Sequence, residues 1–569
     1  MAHVPLRKQL KDEAKKQKAT GKKKKKNANN QVVDGWELTV GIEIHAQLNT
    51  AKKLFSPASA TFNDHPNSRV AFFDLAIPGS QPIFQQETLI PALRAALALD
   101  CHVQPVSRFD RKHYFHWDQP SGYQITQYYE PFARDGRISL QTRDGIAAED
   151  GAGITVGIKQ VQMEQDTAKT LAQPADVHWI DFNRVGAPLI EIITHPDIHH
   201  PATAAALVRK VQILLNAVDA CVSGMEAGGL RADVNVSVRR SDDPSAPLGQ
   251  RTEIKNLSSF KAVEDAIIAE RDRQISVLES GGVIEGETRG WSIGSTETRR
   301  LRGKEGEVDY RYMPDPDLAP VLIGDDLVSH LRESMGQLPD AEVDALIREF
   351  SLTPKDALSL TALDNGMRVE YFWNVVSALE ARLGPDQADN LACFQLAANW
   401  TLHELGHLTS ERSSDTAGED LGFTPDGACA RVPVHALADI LFYLHTRRVT
   451  AKIAKELLWV VFRGAVPAKY PSVLAAIEQE NLWFHELSDA EYAALADEAV
   501  EGQDAVVAQF AASTADPAAR YPQGKLMFLV GRMIRLGPEE RIDPKNAEKV
   551  MRAALQEKYV PALAASSSG

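Results

Sequence analysis

The chain has 569 residues, 44% hydrophobic and 24% charged, a length and composition suited to several soluble domains. Its net charge of −15 argues against a general nucleic-acid coat protein, and no apolar run approaches the roughly 18 residues that span a bilayer. The cysteines Cys101, Cys221, Cys393 and Cys429 show no CxxC spacing, which excludes a cysteine-only zinc site and argues against a disulfide framework.

Residues 1–33 form a basic extension, expected to be disordered. Within 1–31 the lysines and arginines face only Asp12 and Glu13. The run Lys22–Lys26 fits a solvated tail, a nucleic-acid-binding arm or a targeting remnant. Its Lys-rich, Arg-poor composition makes a poor mitochondrial transit peptide, and there is no secretory signal.

Patterning starts near Trp36. Leu38, Val40, Ile42, Ile44, Ala46 and Leu48 alternate with Thr39, Gly41, Glu43, His45 and Gln47, the period of a half-buried strand. The same alternation returns at Ile154–Asp166, Leu189–Thr194, Leu230–Arg239 and Arg251–Lys255. A helix fits Ser258–Ser280, stopped by Gly281 and Gly282. Residues 34–325 therefore read as an α+β domain dominated by antiparallel strands. Residues 326–412 read as all-helical, 413–432 as a Ser/Asp/Gly/Pro-rich linker, and 433–569 as a helical tail domain with amphipathic segments at Val434–His445, Thr450–Phe462 and Gly524–Arg535.

Alternation also says where the acids point. Glu43 and His45 project from the face opposite Ile42 and Ile44. Gln160, Gln162, Glu164 and Asp166 share one face of their strand, and Glu191 points away from Ile190 and Ile192. Asp233 shares its face with Arg231, Asn235 and Ser237, while Glu253 lies with Arg251 and Lys255. Strands joined in one sheet would gather these carboxylates, whose repulsion a divalent cation relieves; hard oxygen donors with one imidazole suit Mg2+ or Mn2+. Simple solvation of each carboxylate is the plainer alternative. Lys112, Tyr114, Arg251, Lys255 and Arg311 interleave with these strands, and Arg or Lys beside clustered acids is what phosphoryl transfer needs to stabilise charge; ion pairing at the surface explains any one of them equally well. Neither GxxxxGK[ST] nor GxGxxG occurs, so nucleotide binding would use a less common scaffold.

Read in order, the blocks Val40–Leu48, Phe109–Phe115, Gly122–Gln127, Met163–Asp166, Ile180–Arg184, Pro188–Ile192, Leu230–Ser237, Glu253–Leu257 and Tyr310–Pro314 resemble the B subunits of the tRNA-dependent amidotransferases. The resemblance runs on more weakly to Gly524–Gly531. It implies a cradle domain that binds Mg-ATP and the tRNA 3′ end, followed by helical domains that grip the tRNA body. It implies ATP-dependent phosphorylation of the side-chain carboxylate of glutamate on tRNA(Gln), or aspartate on tRNA(Asn), followed by amidation. The ammonia would come from an amidase A subunit, with a small C subunit or a fungal accessory subunit completing the complex. Carried over to this sequence, His45, Glu164 and Glu191 match the family's Mg2+ ligands, and Glu43, Asp233 and Glu253 a second acidic group. Lys112, Tyr114, Arg251, Lys255 and Arg311 are expected phosphate or substrate contacts. Many bacterial relatives hold zinc with four cysteines shortly after the first strand; the stretch Phe55–Leu75 has none, so no zinc is expected and packing must hold that loop. The basic extension lies outside the family core and suggests a eukaryotic, fungal-type organellar member; a mitochondrial matrix location is what the resemblance implies, and no membrane insertion is expected.

Two rival readings remain. His403, Glu404 and His407 satisfy HExxH, the two-histidine zinc-protease pattern, on a plausible helix. A tRNA-binding subunit that keeps the fold without the kinase step is the other, which the presence of all the matching acidic and imidazole positions argues against.

Overall fold

The computed structural model describes residues 30–60, 64–174, 177–222, 224–225, 228–242, 247–303, 310–384, 387–409, 420–515, 521–538 and 541–561. The Lys22–Lys26 run lies outside them. Residues 1–340 and 341–569 form two compact units.

The first unit is built on strands. In chain order they are β1 (Trp36–Gln47), β2 (His102–Val103), β3 (Val106–Ser107), β4 (Asp110–His113), β5 (Tyr123–Thr126) and β6 (Ala133–Gln141). Then come β7 (Gly153–Gln165), β8 (Lys169–Gln173), β9 (Val177–Asp181), β10 (Pro188–Thr194) and β11 (Leu230–Arg240). The last are β12 (Thr252–Leu257), β13 (Glu287–Gly290), β14 (Arg299–Gly303), β15 (Met313–Pro314) and β16 (Val321–Leu322). Nine of them make one sheet in the order β14-β13-β12-β11-β1-β10-β7-β6-β2, antiparallel except between β12 and β13. A smaller sheet, β15-β4-β5, stands beside it.

One face of the large sheet is apolar. Val40, Ile42, Ile44, Val161, Met163, Ile190, Ile192, Val234, Val236 and Ile254 are all buried in a single core with the helices Leu89–Ala98, Pro201–Ala217 and Phe260–Glu279. Each fully buried Val or Ile contributes roughly 1.5–3 kcal/mol. A one-residue slip of β1 would therefore forfeit several such terms at once, and this fixes which side chains face the other way. Phe260–Glu279 begins where the Ser259 hydroxyl accepts the Ala262 N–H at 3.1 Å and ends at Gly281, whose φ is +81°.

The stretch Phe55–Leu75 is held by more than packing. Phe55 meets Phe109 edge-on at 5.0 Å, but beneath it lies a buried ion pair, Lys53 Nζ to Asp74 Oδ2 at 2.9 Å. Lys53 also donates to the Phe182 carbonyl at 3.2 Å, and Asp74 accepts the Ala71 N–H at 2.8 Å. Burial pushes the Lys53 ammonium below its usual range against the pull of Asp74.

The second unit is helical throughout its regular elements among the described residues, and its packing divides it differently from the partition drawn from composition. Helices Met367–Leu383, Val434–His445 and Ala451–Phe462 share one hydrophobic core, which Leu421, Cys429 and Val432 also enter. The Tyr371 hydroxyl donates to the Val432 carbonyl at 2.9 Å. Residues 420–432 are thus packed chain, whereas 413–419 lie outside the described residues. A separate core starts at Leu487 and gathers Asp489–Val500, Gln523–Leu536 and Pro544–Ala554. At the other end, Leu331 of the helix Asp325–Ser334 belongs to the core of the first unit, so the expected boundary at 325 falls inside that unit. Turn-forming composition marks a polar segment, and it carries no record of which helices bury their apolar stripes together. Among the described residues, no helix is long and apolar enough to cross a membrane.

Candidate functional site

The polar face of the large sheet is assembled around β1. His45 lies opposite Glu191 of β10, and Glu43 opposite Asp233 of β11, so successive outward residues of one strand find acids on opposite sides. Residues facing each other across an antiparallel pair share a face, and their diagonal neighbours are within reach of long side chains. Glu164 arrives diagonally on β7, where Gln162 opposes Glu191, and Glu253 arrives on β12 opposite Asn235. Two groups result, His45–Glu164–Glu191 and Glu43–Asp233–Glu253, in each of which one ligand atom per residue lies within 4.8 Å of the others. The positions singled out from alternation and resemblance are therefore brought together three by three. Asp166, on the same face, joins neither; it pairs with Arg231 at 3.1 Å and Arg184 at 3.5 Å.

In the first group His45 Nε2 is 3.3 Å from Glu164 Oε1 and 3.8 Å from Glu191 Oε1. Gln162 Nε2 donates to Glu191 at 2.6 Å and to Thr126 Oγ1 at 3.2 Å, and the Thr126 hydroxyl donates to Glu164 at 3.3 Å. Burial disfavours an imidazolium here, yet the hydrogen bond to Glu164 and the charges of Glu191 and Glu164 outweigh it and raise His45 to about 9. Burial would likewise raise Glu164, but His45 and Lys112 hold it below the ordinary carboxylate range. Glu191 goes the other way, up to about 7, because it is buried and lies beside Glu164. The imidazolium and the lysine match the two carboxylates in number, so it is burial, with Glu164 alongside, that holds Glu191 up.

In the second group a cation is already in place. Lys255 Nζ reaches Glu253 at 3.0 Å and Asp233 at 3.3 Å, and these carboxylates with Glu43 keep it protonated against burial. Asn235 donates to Glu43 at 3.1 Å, Thr288 to Glu253 at 3.0 Å, and the Asn256 N–H to Asp233 at 2.8 Å.

The expected substrate contacts fall into two classes. Lys112 and Lys255 stand against the acids: burial opposes the Lys112 charge, while Glu164, Tyr312 and Glu191 favour it, and its Nζ lies 4.8 Å from the centre of the Tyr310 ring. Tyr114 stacks on His116 at 5.9 Å, with its N–H on the Gly122 carbonyl. Arg251 is exposed just before β12, and Arg311 is exposed at a φ of +45°, its carbonyl 2.9 Å from His113 Nδ1. Thr126 and Thr288, which complete the two groups, are absent from the alternation reading because β5 and β13 are four-residue strands, too short to announce a period.

The HExxH residues are not gathered into a ligand group. Residues Trp400–Glu404 form a π-helical turn, which disrupts the i, i+4 alignment that the pattern requires. Glu404 pairs with Lys455 at 2.7 Å.

The family model described as the GatB/GatE catalytic domain matches residues 38–329, the region that carries both acidic groups. Among similar proteins, the mitochondrial glutamyl-tRNA(Gln) amidotransferase B subunit of Neurospora crassa is 65% identical over 99% of this chain and 88% of its own length. That of Verticillium alfalfae is 65% identical over 97% of this chain and 88% of its own, and that of Fusarium vanettenii 63% over 97% and 89%. With likeness of this depth along nearly the whole length, the chain belongs to the GatB/GatE family of tRNA amidotransferase B subunits.

Proposed function

We propose that the chain is the B subunit of a mitochondrial, glutamine-dependent glutamyl-tRNA(Gln) amidotransferase and that it activates the glutamate carried by tRNA(Gln). The names of its relatives support the substrate and the compartment. The observation that carries the chemical step is the pair of acidic groups on one sheet face with Lys112 beside them.

An oxygen of the glutamate side chain forms a bond to the γ-phosphorus of ATP as the bond to the β–γ bridging oxygen breaks and ADP leaves. Ammonia then attacks the acyl carbon; the C–N bond forms, the C–O bond to phosphate breaks, and inorganic phosphate leaves as the nitrogen gives up a proton. His45, Glu164 and Glu191 would hold Mg2+, and Glu43, Asp233 and Glu253 a second divalent ion. The donor set fits once His45 gives up its proton: oxygen and imidazole ligands converge within 4.8 Å. Bound there, Mg2+ supplies charge that neutralises phosphate oxygens. Lys112 presents an ammonium to the phosphates, Gln162 and Thr126 orient the carboxylates, and Lys255 bridges Asp233 and Glu253. The ammonia comes from glutamine hydrolysed on an amidase A subunit, with a small C subunit or a fungal accessory subunit completing the assembly.

The test uses the reconstituted complex with Glu-tRNA(Gln), Mg-ATP and free ammonium, which bypasses the amidase. Glu164→Gln should abolish Gln-tRNA(Gln) formation and Glu404→Gln should leave it unchanged. Normal turnover by Glu164→Gln would refute the metal assignment, and no product from the wild type would refute the activity itself.

A further inference from the structure

Beside the first acidic group lies a cluster of four tyrosine rings, two of them exposed and two half-buried. Tyr128 and Tyr312, distant in sequence, stack face to face with centroids 4.0 Å apart and planes inclined by 12°. Tyr129 closes on Tyr128 edge-on at 5.0 Å, and Tyr310 meets Tyr312 edge-on at 5.9 Å. Tyr128 and Tyr129 are 48% and 52% exposed, so much of their ring surface meets water. Leaving two such rings in solvent forgoes burial that a stable fold favours, and exposed aromatics next to a site mark a binding surface.

The rings are also held rigidly. Buried Asp110 of β4 accepts the Tyr129 N–H at 2.9 Å, which fixes the loop after β5. Tyr312 immediately precedes β15, whose Met313 pairs with Arg111 of β4, and Asp315 Oδ2 accepts from Arg111 Nε at 2.8 Å. Both sides of the stack are therefore pinned to the same short strand, and the strand's next residue is Lys112. Lys112 lies over Tyr310 on one side and within electrostatic reach of Glu164 and Glu191 on the other. The wall thus begins where the acidic group ends.

We infer that the Tyr128–Tyr312 stack is a platform for an adenine base whose phosphate or acyl end lies at the His45–Glu164–Glu191 group. This inference rests on the proposed function, which brings two adenines to the site, one in ATP and one in the terminal adenosine that bears the glutamyl ester. A preformed aromatic wall next to a cationic lysine suits a planar base attached to an anionic group, and stacking on one aromatic ring is worth about 5- to 150-fold in binding. Ring stacking by itself selects for a planar base rather than for sequence.

Equilibrium binding to the assembled complex tests this. The probes are Mg-ATP and, separately, tRNA(Gln) ending in CCA or truncated to CC, with wild type, Tyr128→Ala and Tyr128→Phe. If the adenine is that of ATP, Tyr128→Ala weakens Mg-ATP binding by about tenfold and leaves both tRNAs as in wild type. If it is the terminal adenosine, Tyr128→Ala abolishes the advantage of CCA over CC and leaves Mg-ATP as in wild type. In either case Tyr128→Phe, which keeps the ring, binds like wild type. Unchanged binding of all probes by Tyr128→Ala overturns the platform, as does a loss that Tyr128→Phe shares. Gln-tRNA(Gln) formation in the same preparations reports on the activity, so failure of the platform and failure of the proposed function give different results.

Discussion

The two acidic groups share one sheet face and central strand, and yet their charge is met in different ways. Around Glu43, Asp233 and Glu253 the cation is Lys255, in contact with two of the three carboxylates, and a neutral donor reaches each of them. Around His45, Glu164 and Glu191 the cations are His45, drawn up to about 9, and Lys112, and burial beside Glu164 still drives Glu191 up to about 7. Like charges held this close cannot all ionise without help. The contrast teaches that a cluster of carboxylates is not by itself a metal site. The second group has one lysine for three carboxylates, whereas the two carboxylates of the first face both His45 and Lys112, so what separates the groups is how deeply the charges are buried and which donors meet them.

The largest effect that would sharpen this contrast is on activity. In the free-ammonium reaction, Glu164→Gln should lower product formation on the order of 100-fold or more, and Glu43→Gln by about tenfold. Equal losses would erase the distinction between the groups. Next is stability. Lys255→Met strips the second group of its cation; the lysine side chain is 32% exposed, so a cost of about 1–2 kcal/mol in thermal unfolding is expected rather than that of a fully buried pair. Added Mg2+ should then stabilise the variant more than the wild type, and an identical Mg2+ response would mean that Lys255 does not stand in for a divalent ion.

A further carboxylate, Glu270 of the helix Phe260–Glu279 packed on the apolar side of the sheet, tests the role of pairing under acid. It is buried, which would raise it, but Arg273, Thr252 and Thr298 donate to it and hold it below its reference value of 4.5. A depressed folded value means that the stabilisation is present above pH 4.5 and is lost as pH falls through the folded value. Stability of the wild type should therefore drop more steeply below pH 4.5 than that of Glu270→Gln, as read from denaturant midpoints; parallel curves would count against the pairing. The smallest effect belongs to Arg251, one residue before the strand that carries Glu253 and Lys255 but exposed. Arg251→Ala should change unfolding by no more than about 0.5 kcal/mol and turnover by less than about threefold; a loss as deep as that of Glu164→Gln would place it at the reacting groups after all.

Much of the site was legible before the fold was known, for one reason. A strand has a period of two, so Ile42 and Ile44 being apolar compels Glu43 and His45 to point the other way, whatever surrounds them. The same argument located β7, β10, β11 and β12 to within about two residues. Strands β4, β5 and β13 escaped it because four residues cannot establish a period, and with them went Thr126, Thr288 and the positions of the tyrosine wall. In β6, Gly136 allows a close approach, since a Cβ at 136 would stand 2.2 Å from Cys101 Sγ.

What the amino-acid order determined by itself was local: which face each side chain takes, where Phe260–Glu279 starts and stops, and which family the ordered blocks resemble. Tertiary structure decided the rest. Strand order placed β1 between β10 and β11, and only that order divides the ligands into His45–Glu164–Glu191 and Glu43–Asp233–Glu253. Packing likewise put Val434–His445 in one core with Met367–Leu383, across a segment whose composition reads as a linker. Periodicity is a property of neighbours along the chain, whereas strand pairing and the sharing of a core are chosen by contacts between distant segments, and no local pattern encodes them.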